Sequence, residues 1–194
     1  MISIIGNPER QEIRTLRGSL RQTGYPAVIV PRDDRETLLF SLAVIVTEDG
    51  APPSFVDPER VVYADVSALA SREPGVAVSE TERIGERVGE VLEIKSGVRF
   101  GNFSSKLYVE RNGVSVFLGE TLPLTERERL VVRLLYLYPG RYLTARTVAR
   151  ACFPDGVGDG AVRTAVYEIN RRAKTLTGFP LIESKPISGY SFSG

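Results

Sequence analysis

Chemistry in this chain has to come from arginine, lysine, carboxylate and hydroxyl groups, because its 194 residues include no histidine and a single cysteine, Cys152. That excludes His-ligated metal sites, Ser/His/Asp triads and Cys/His dyads together. No pair of carboxylates stands in a setting that would shift a pKa for acid–base work. No glycine-rich phosphate loop of the G-x-G-x-x-G or G-x-x-x-x-G-K-S/T kind is present. The expectation is a protein that is not an enzyme, with no catalytic residue, no metal site and no cofactor. What the chain does carry is a set of groups suited to a polyanion. Arg163, Thr164, Tyr167, Asn170, Arg171 and Lys174 recur at helical spacing, opposite an apolar stripe of Val162, Val166, Ile169, Ala173 and Leu176. Arginine and asparagine can hydrogen-bond base edges in a DNA major groove. Threonine and tyrosine hydroxyls can reach phosphates or base edges. Arg172 and Lys174 near the helix end suit either a phosphate or the helix dipole.

The elements that would position these groups follow from the flanking pattern. Lys106 to Glu110 and Val114 to Leu118 flank Arg111-Asn112-Gly113, and Asn-Gly between alternating segments predicts a hairpin. Thr125 and Glu128 form a capping box opening a helix to Tyr138, with Leu130, Val131, Leu134, Leu135 and Leu137 inward, and Pro139-Gly140 close it. Thr144 caps a short helix from Ala145 to Cys152, where its backbone amide could meet a phosphate. After a loop over 154–160, the third helix is expected over 161–176. Leu181-Ile182-Glu183 and Gly189-Tyr190-Ser191-Phe192 then pair as a terminal hairpin with Lys185 near its tip, placed to reach phosphate or minor groove. A hairpin, three helices and a terminal hairpin make a winged helix-turn-helix, whose third helix enters the major groove.

The first half reads differently. Ile2 to Ile5, Ala27 to Val30, Leu42 to Val46, Val61 to Ala64 and Val76 to Val78 are short apolar runs. They alternate with helical stretches at Glu9 to Arg21, Arg32 to Leu39 and Glu82 to Ile94. That order predicts a parallel sheet of five strands with helices on both faces. Charge divides the same way. Residues 1–96 hold 11 basic and 16 acidic side chains, and residues 97–194 hold 14 and 8. The expected organisation is a domain over 1–96, a linker over 97–104 and a winged helix-turn-helix over 105–194. No apolar run approaches the roughly 18 residues of a membrane span, and Met1 to Pro8 lacks the form of a signal peptide. With one cysteine, a reducing cytoplasm is the expected location. Cys152 beside Phe153 reads as a small buried hydrophobe.

Taken together, Leu124 to Phe192 resembles the effector domain of OmpR/PhoB-type response regulators. The resemblance is carried by Leu124-Thr125-x-x-Glu128, by Pro139-Gly140-Arg141-Tyr142-Leu143-Thr144, by Val162-x-x-x-Val166-x-x-Ile169 and by Gly189-Tyr190-x-Phe192. It implies double-stranded DNA as partner, a transcription-regulating role, and a loop, Phe153 to Gly160, that could touch RNA polymerase. Residues 1–96 are similar to a reduced receiver domain of the same family. The fold expected is thus α/β, a reduced flavodoxin-like receiver sheet followed by an α+β winged helix-turn-helix. The receiver's phosphorylation chemistry is not matched. Gly6-Asn7 stand where paired acids should hold Mg²⁺, Val46 or Thr47 stands at the acceptor position, and Ser79-Glu80 replace the lysine. Asp49 is the one displaced acceptor to consider. Such a half is expected to act by homodimerisation through the segment 67–96, with Arg83, Glu86, Arg87 and Glu90 at the contact. Those charges, three and four apart, also suit a solvated helix with internal ion pairs. Two other readings compete. One is a winged helix that binds protein rather than DNA. The other is a ligand sensor with a cleft near Gly6-Asn7 and Thr47-Glu48.

Overall fold

The structure, a computed structural model, describes residues 1–47, 51–71, 74–96, 102–105 and 107–193. The chain divides into two units, Met1–Gly97 and Val98–Gly194. The first is built on β1 (Ile2–Ile5), β2 (Ala27–Val30), β3 (Ala43–Val46) and β4 (Val61–Tyr63), all parallel in the order β2-β1-β3-β4. Among the described residues this is the flavodoxin-like strand order with no fifth strand beside β4. Every residue of β1 and β3 is buried, as in parallel strands covered on both faces. Around the sheet run α1 (Gln11–Gln22), α2 (Arg35–Phe40), α3 (Val66–Leu69) and α4 (Pro74–Ser96). In α1, Ile13, Leu16 and Leu20 form the buried stripe. Between β3 and β4 the described residues hold a 3₁₀ turn at Pro58–Arg60 and no α-helix.

The fifth strand expected at Val76 to Val78 is absent; those residues lie inside α4. Pro74 is its first residue, where a missing N–H costs nothing. The buried positions Glu80, Ile84, Val88, Val91 and Leu92 then keep one helical seam. Valine's strand preference yields to that seam, because β-propensity depends mostly on what the side chain packs against. Losing the strand opens the β4 edge. Ala64 N donates to Val46 O, so Tyr63 points its carbonyl away from β3. Arg83 Nη2 of α4 donates to that carbonyl at 2.9 Å, and Glu80 Oε1 accepts from Asp65 N at 2.8 Å. The two side chains also pair with each other at 2.7 Å. A helix-borne ion pair thus caps backbone groups that a fifth strand would have taken.

In the second unit β5 (Asn102–Ser104), β6 (Tyr108–Arg111), β7 (Val114–Phe117) and β8 (Glu120–Leu122) make an antiparallel sheet in sequence order. The β6–β7 turn is Asn112-Gly113, both at positive φ, as a two-residue hairpin turn requires. Residues 102–104, expected within a linker, are therefore a sheet strand, and β8 extends the expected hairpin to four strands. Three helices follow, α5 (Glu126–Tyr136), α6 (Ala145–Cys152) and α7 (Asp159–Thr177), and then the hairpin β9 (Ile182–Lys185) and β10 (Gly189–Phe192). α7 starts earlier than the sequence spacing suggests, leaving Phe153 to Gly158 as its connection to α6. Its buried stripe is Val162, Val166, Ile169 and Ala173; Leu176, expected on that stripe, is largely exposed. Cys152 is buried, as its setting suggested. Among the described residues no helix is long and apolar enough to cross a membrane.

Two polar networks hold the helices of this unit. Glu110, almost fully buried in β6, takes both ends of the Arg133 guanidinium from α5 and the Tyr108 hydroxyl at 3.1 Å. Burial and the Glu110 charge push the Tyr108 phenol well above its ordinary pKa, so it stays a neutral donor. Glu128 is the second. Its carboxylate accepts from Thr125 N at 2.8 Å and Thr125 Oγ1 at 2.9 Å, closing the capping box of α5. It also takes Arg172 of α7 at 2.9 and 2.5 Å. Burial alone would raise its pKa, but Arg172 and Thr125 outweigh burial and hold it below the ordinary glutamate value. Glu128→Gln is expected to destabilise the second unit by about 2 kcal/mol near pH 7. A carboxylate held low stabilises above its ordinary value near 4.5 and loses that contribution as the pH falls. The gap between wild type and variant in urea titrations should therefore narrow between about pH 7 and about pH 3. An unchanged gap would contradict the ionic role.

Candidate nucleic-acid interface

α7 presents its outer face beside the β9–β10 hairpin, and three contacts fix that arrangement. Arg172 ties the helix to α5 through Glu128 and to Pro123 O at 2.6 Å. Asn170 ties it to the hairpin. Its Nδ2 donates to Ile182 O at 2.7 Å, and its Oδ1 accepts from Leu181 N and Ile182 N at 3.0 and 2.9 Å. A backbone bridge between Leu143 and Tyr190, at 2.7 and 2.9 Å, pins the same hairpin to the chain entering α6. Gly189 makes that bridge possible. It sits at φ +104, and a Cβ there would overlap the Leu143 carbonyl.

These constraints frame a groove of about 770 Å³ between α7, the start of α6 and the hairpin. Of the expected DNA-contacting residues, Thr144, Arg163, Tyr167, Asn170, Lys174 and Lys185 line it. Arg146, not singled out in the sequence, lines it too, on the exposed side of the first turn of α6. Four cations thus face one carboxylate, Asp159. Tyr167 is 64% exposed, a large ring turned to solvent. Lys185 stands over the Tyr142 ring at 4.3 Å, while the Tyr142 hydroxyl meets Glu183. The Tyr142 hydroxyl first, and Glu183 less, hold the Lys185 ammonium above its ordinary pKa, so it is a fixed positive charge.

Three expectations change. Asn170, although it lines the groove, spends its Oδ1 and one Nδ2 hydrogen on the backbone of the hairpin. Thr164 and Arg171 lie on the stripe beside the groove rather than in its lining. Thr164 bonds back to Gly160 O at 3.1 Å, and Arg171 pairs with Glu168 at 2.8 Å. Arg172, open to a phosphate role in the sequence, is committed to Glu128.

In the first unit Thr47 occupies the space beside Gly6 at the end of β1. Thr47, at the end of β3, is 2% exposed, and its hydroxyl donates to Ile5 O at 2.5 Å. A Cβ on Gly6 would lie 2.5 Å from that same hydroxyl. The side chain that would carry a metal-binding acid after β1 thus has its space occupied. Glu48 and Asp49 lie outside the described residues. Of the expected dimer residues, Arg83 is engaged with Glu80 and Tyr63, Arg87 pairs with Glu90 at 2.5 Å, and Glu86 is exposed.

No family model matches this sequence, and no curated protein does. Solved structures of similar fold include the response regulator DrrB, a Thermotoga maritima OmpR/PhoB homolog. It is 16% identical over 100% of this chain and 98% of that one, with a TM-score of 0.46. The DNA-binding domain of CpxR from E. coli is 20% identical over 47% of this chain and 94% of that one, with a TM-score of 0.40. A streptococcal redox sensor described as evolved from two-component response regulators is 11% identical over 99% of this chain and 98% of that one, with a TM-score of 0.42. These are remote likenesses, and the site is described by this chain's own contacts: a receiver-like sheet unit followed by a winged helix-turn-helix.

Asn170→Ala leaves two buried backbone amides and one carbonyl without their partner, at a cost of roughly 2 kcal/mol. Amide hydrogen exchange should quicken at Leu181 and Ile182 while the α5–α6 core keeps its protection. Unchanged exchange there would refute the tether.

Proposed function

We propose that this chain is a DNA-binding transcription regulator of the atypical OmpR/PhoB response-regulator type, acting without phosphorylation of its receiver-like half. The observation that carries the reading is the groove where Arg146, Arg163, Lys174 and Lys185 surround the exposed face of α7 and the hairpin beside it. A helix in a major groove about 12 Å wide with a wing alongside would put these cations on the flanking phosphates. Tyr167 and Arg163 would sit nearest the base edges. Arg171 and Thr164 fall to the margin of the contact. A homodimer belongs to the same reading, since two heads on adjacent half-sites multiply a modest single-site affinity. The exposed Glu86, Arg87 and Glu90 of α4 are the contacts proposed for it.

The mobility of a fluorescent duplex titrated with the full chain at several salt concentrations tests the central claim. Affinity should fall steeply with salt. Arg163→Ala with Lys174→Ala should weaken binding by about 2–4 kcal/mol and flatten the salt slope by about two charges, while Arg171→Ala alone changes little. Salt-insensitive or absent binding would favour a protein partner for the winged helix.

The occupied space at Gly6 and Thr47 supports phosphorylation independence. Incubation with acetyl phosphate and Mg²⁺ should leave the intact mass unchanged, and a gain of one phosphoryl group would overturn that part.

A further inference from the structure

The hairpin between Lys185 and Gly189 turns through Pro186, Ile187 and Ser188, and its apex is built in a costly way. Lys185 and Gly189 are paired across the strands. Ser188 N then donates to Pro186 O at 2.8 Å, closing a three-residue turn around Ile187. Ile187 sits at φ +69 in that turn. A γ-type turn with positive φ is rare and strained, and a β-branched residue there is an outlier. Glycine or asparagine would relieve the strain. The isoleucine side chain gains nothing in exchange within the fold, because it is fully exposed. Strain retained at an exposed apolar side chain points to a surface outside the molecule. That side chain lies on the rim of the groove lined by Lys185, Arg163 and Lys174. A partner seated there must offer negative charge beside an apolar slot. The DNA minor groove does so, with phosphates on its rims and deoxyribose and base faces within.

Resting on the DNA-binding reading above, we infer that Ile187 is an apolar wedge that enters the minor groove next to the half-site read by α7. Apolar side chains inserted there partly unstack a base step and kink the duplex. The wedge adds specificity without hydrogen bonds. It favours binding sites with a flexible pyrimidine–purine step at a fixed distance from the bases facing α7.

The test uses a duplex selected from a random pool by the full wild-type chain, with 2-aminopurine placed at successive flanking positions. Fluorescence should rise at one flanking step on binding, reporting loss of stacking. Ile187→Gly should bind that duplex on the order of tenfold more weakly and abolish the fluorescence rise. It should at the same time melt no lower than wild type, since it relieves the turn. Ile187→Asn, which also tolerates the turn but is polar, should behave as Ile187→Gly does. Ile187→Leu should keep most of the binding. If wild type selects no duplex, the DNA reading itself has failed. If wild type binds but the glycine variant binds equally well with the same fluorescence, the wedge is refuted. A lower melting temperature for Ile187→Gly would make the residue a structural one and refute it too. So would unchanged DNA binding with lost self-association by sedimentation, which would assign the wing tip to a protein contact.

Discussion

The second unit hangs on the carboxylate of Glu128. It completes the capping box that starts α5, and it receives the guanidinium of Arg172 from the last third of α7. A side chain that satisfies the N-terminal amide of one helix therefore also sets the position of another. The arrangement needs the charge. A buried glutamate is held ionised by donors from two elements, and losing Arg172 would leave its charge buried without a counter-charge. Everything in the proposed interface is downstream of this. α7 is docked by Arg172, the hairpin is docked on α7 by Asn170, and the bridge between Leu143 and Tyr190 closes the frame.

The first unit tells of a different economy of groups. Without a fifth strand, the β4 edge would expose unpaired backbone, a hazard for any sheet. Arg83 and Glu80 cover that edge from α4. At the end of β1, the Thr47 hydroxyl takes the space that a side chain on Gly6 would need. Both observations describe a receiver-like sheet that holds its own surface closed.

Much of this was legible along the chain. The Thr125–Glu128 capping box, the Asn112-Gly113 turn, the Thr144 cap and the apolar stripe of α7 are local signals, and each appears where its spacing implies. Val76 to Val78 look like a strand in isolation, but the seam through Glu80, Ile84 and Val88 makes them helix. The β7–β8 turn was missed because Leu118, at φ +52, is not a residue that advertises a turn. Leu176 continues the stripe of α7 by spacing, yet it lies beyond the surface that covers Ala173. Asn170 and Arg172 sit among groups suited to DNA, and only their partners on Ile182 and Glu128, 12 and 44 residues away, show that they also hold the hairpin and α5 in place.

The sequence by itself determined the two-part organisation of fold types, the helices and their caps, and the absence of histidine chemistry. These depend on residue type and short-range period, which are written in the chain. Only the tertiary structure decided which polar side chains are left over for a partner. A long polar side chain at a given helical position can face solvent, a neighbouring helix or a strand's backbone, and the choice depends on contacts far away in sequence. That is why Arg146 joins Arg163, Lys174 and Lys185 around the groove, while Thr164 and Arg171 lie outside its lining. It is also why Ile187, silent in the sequence, became conspicuous once its turn and its exposure were seen together.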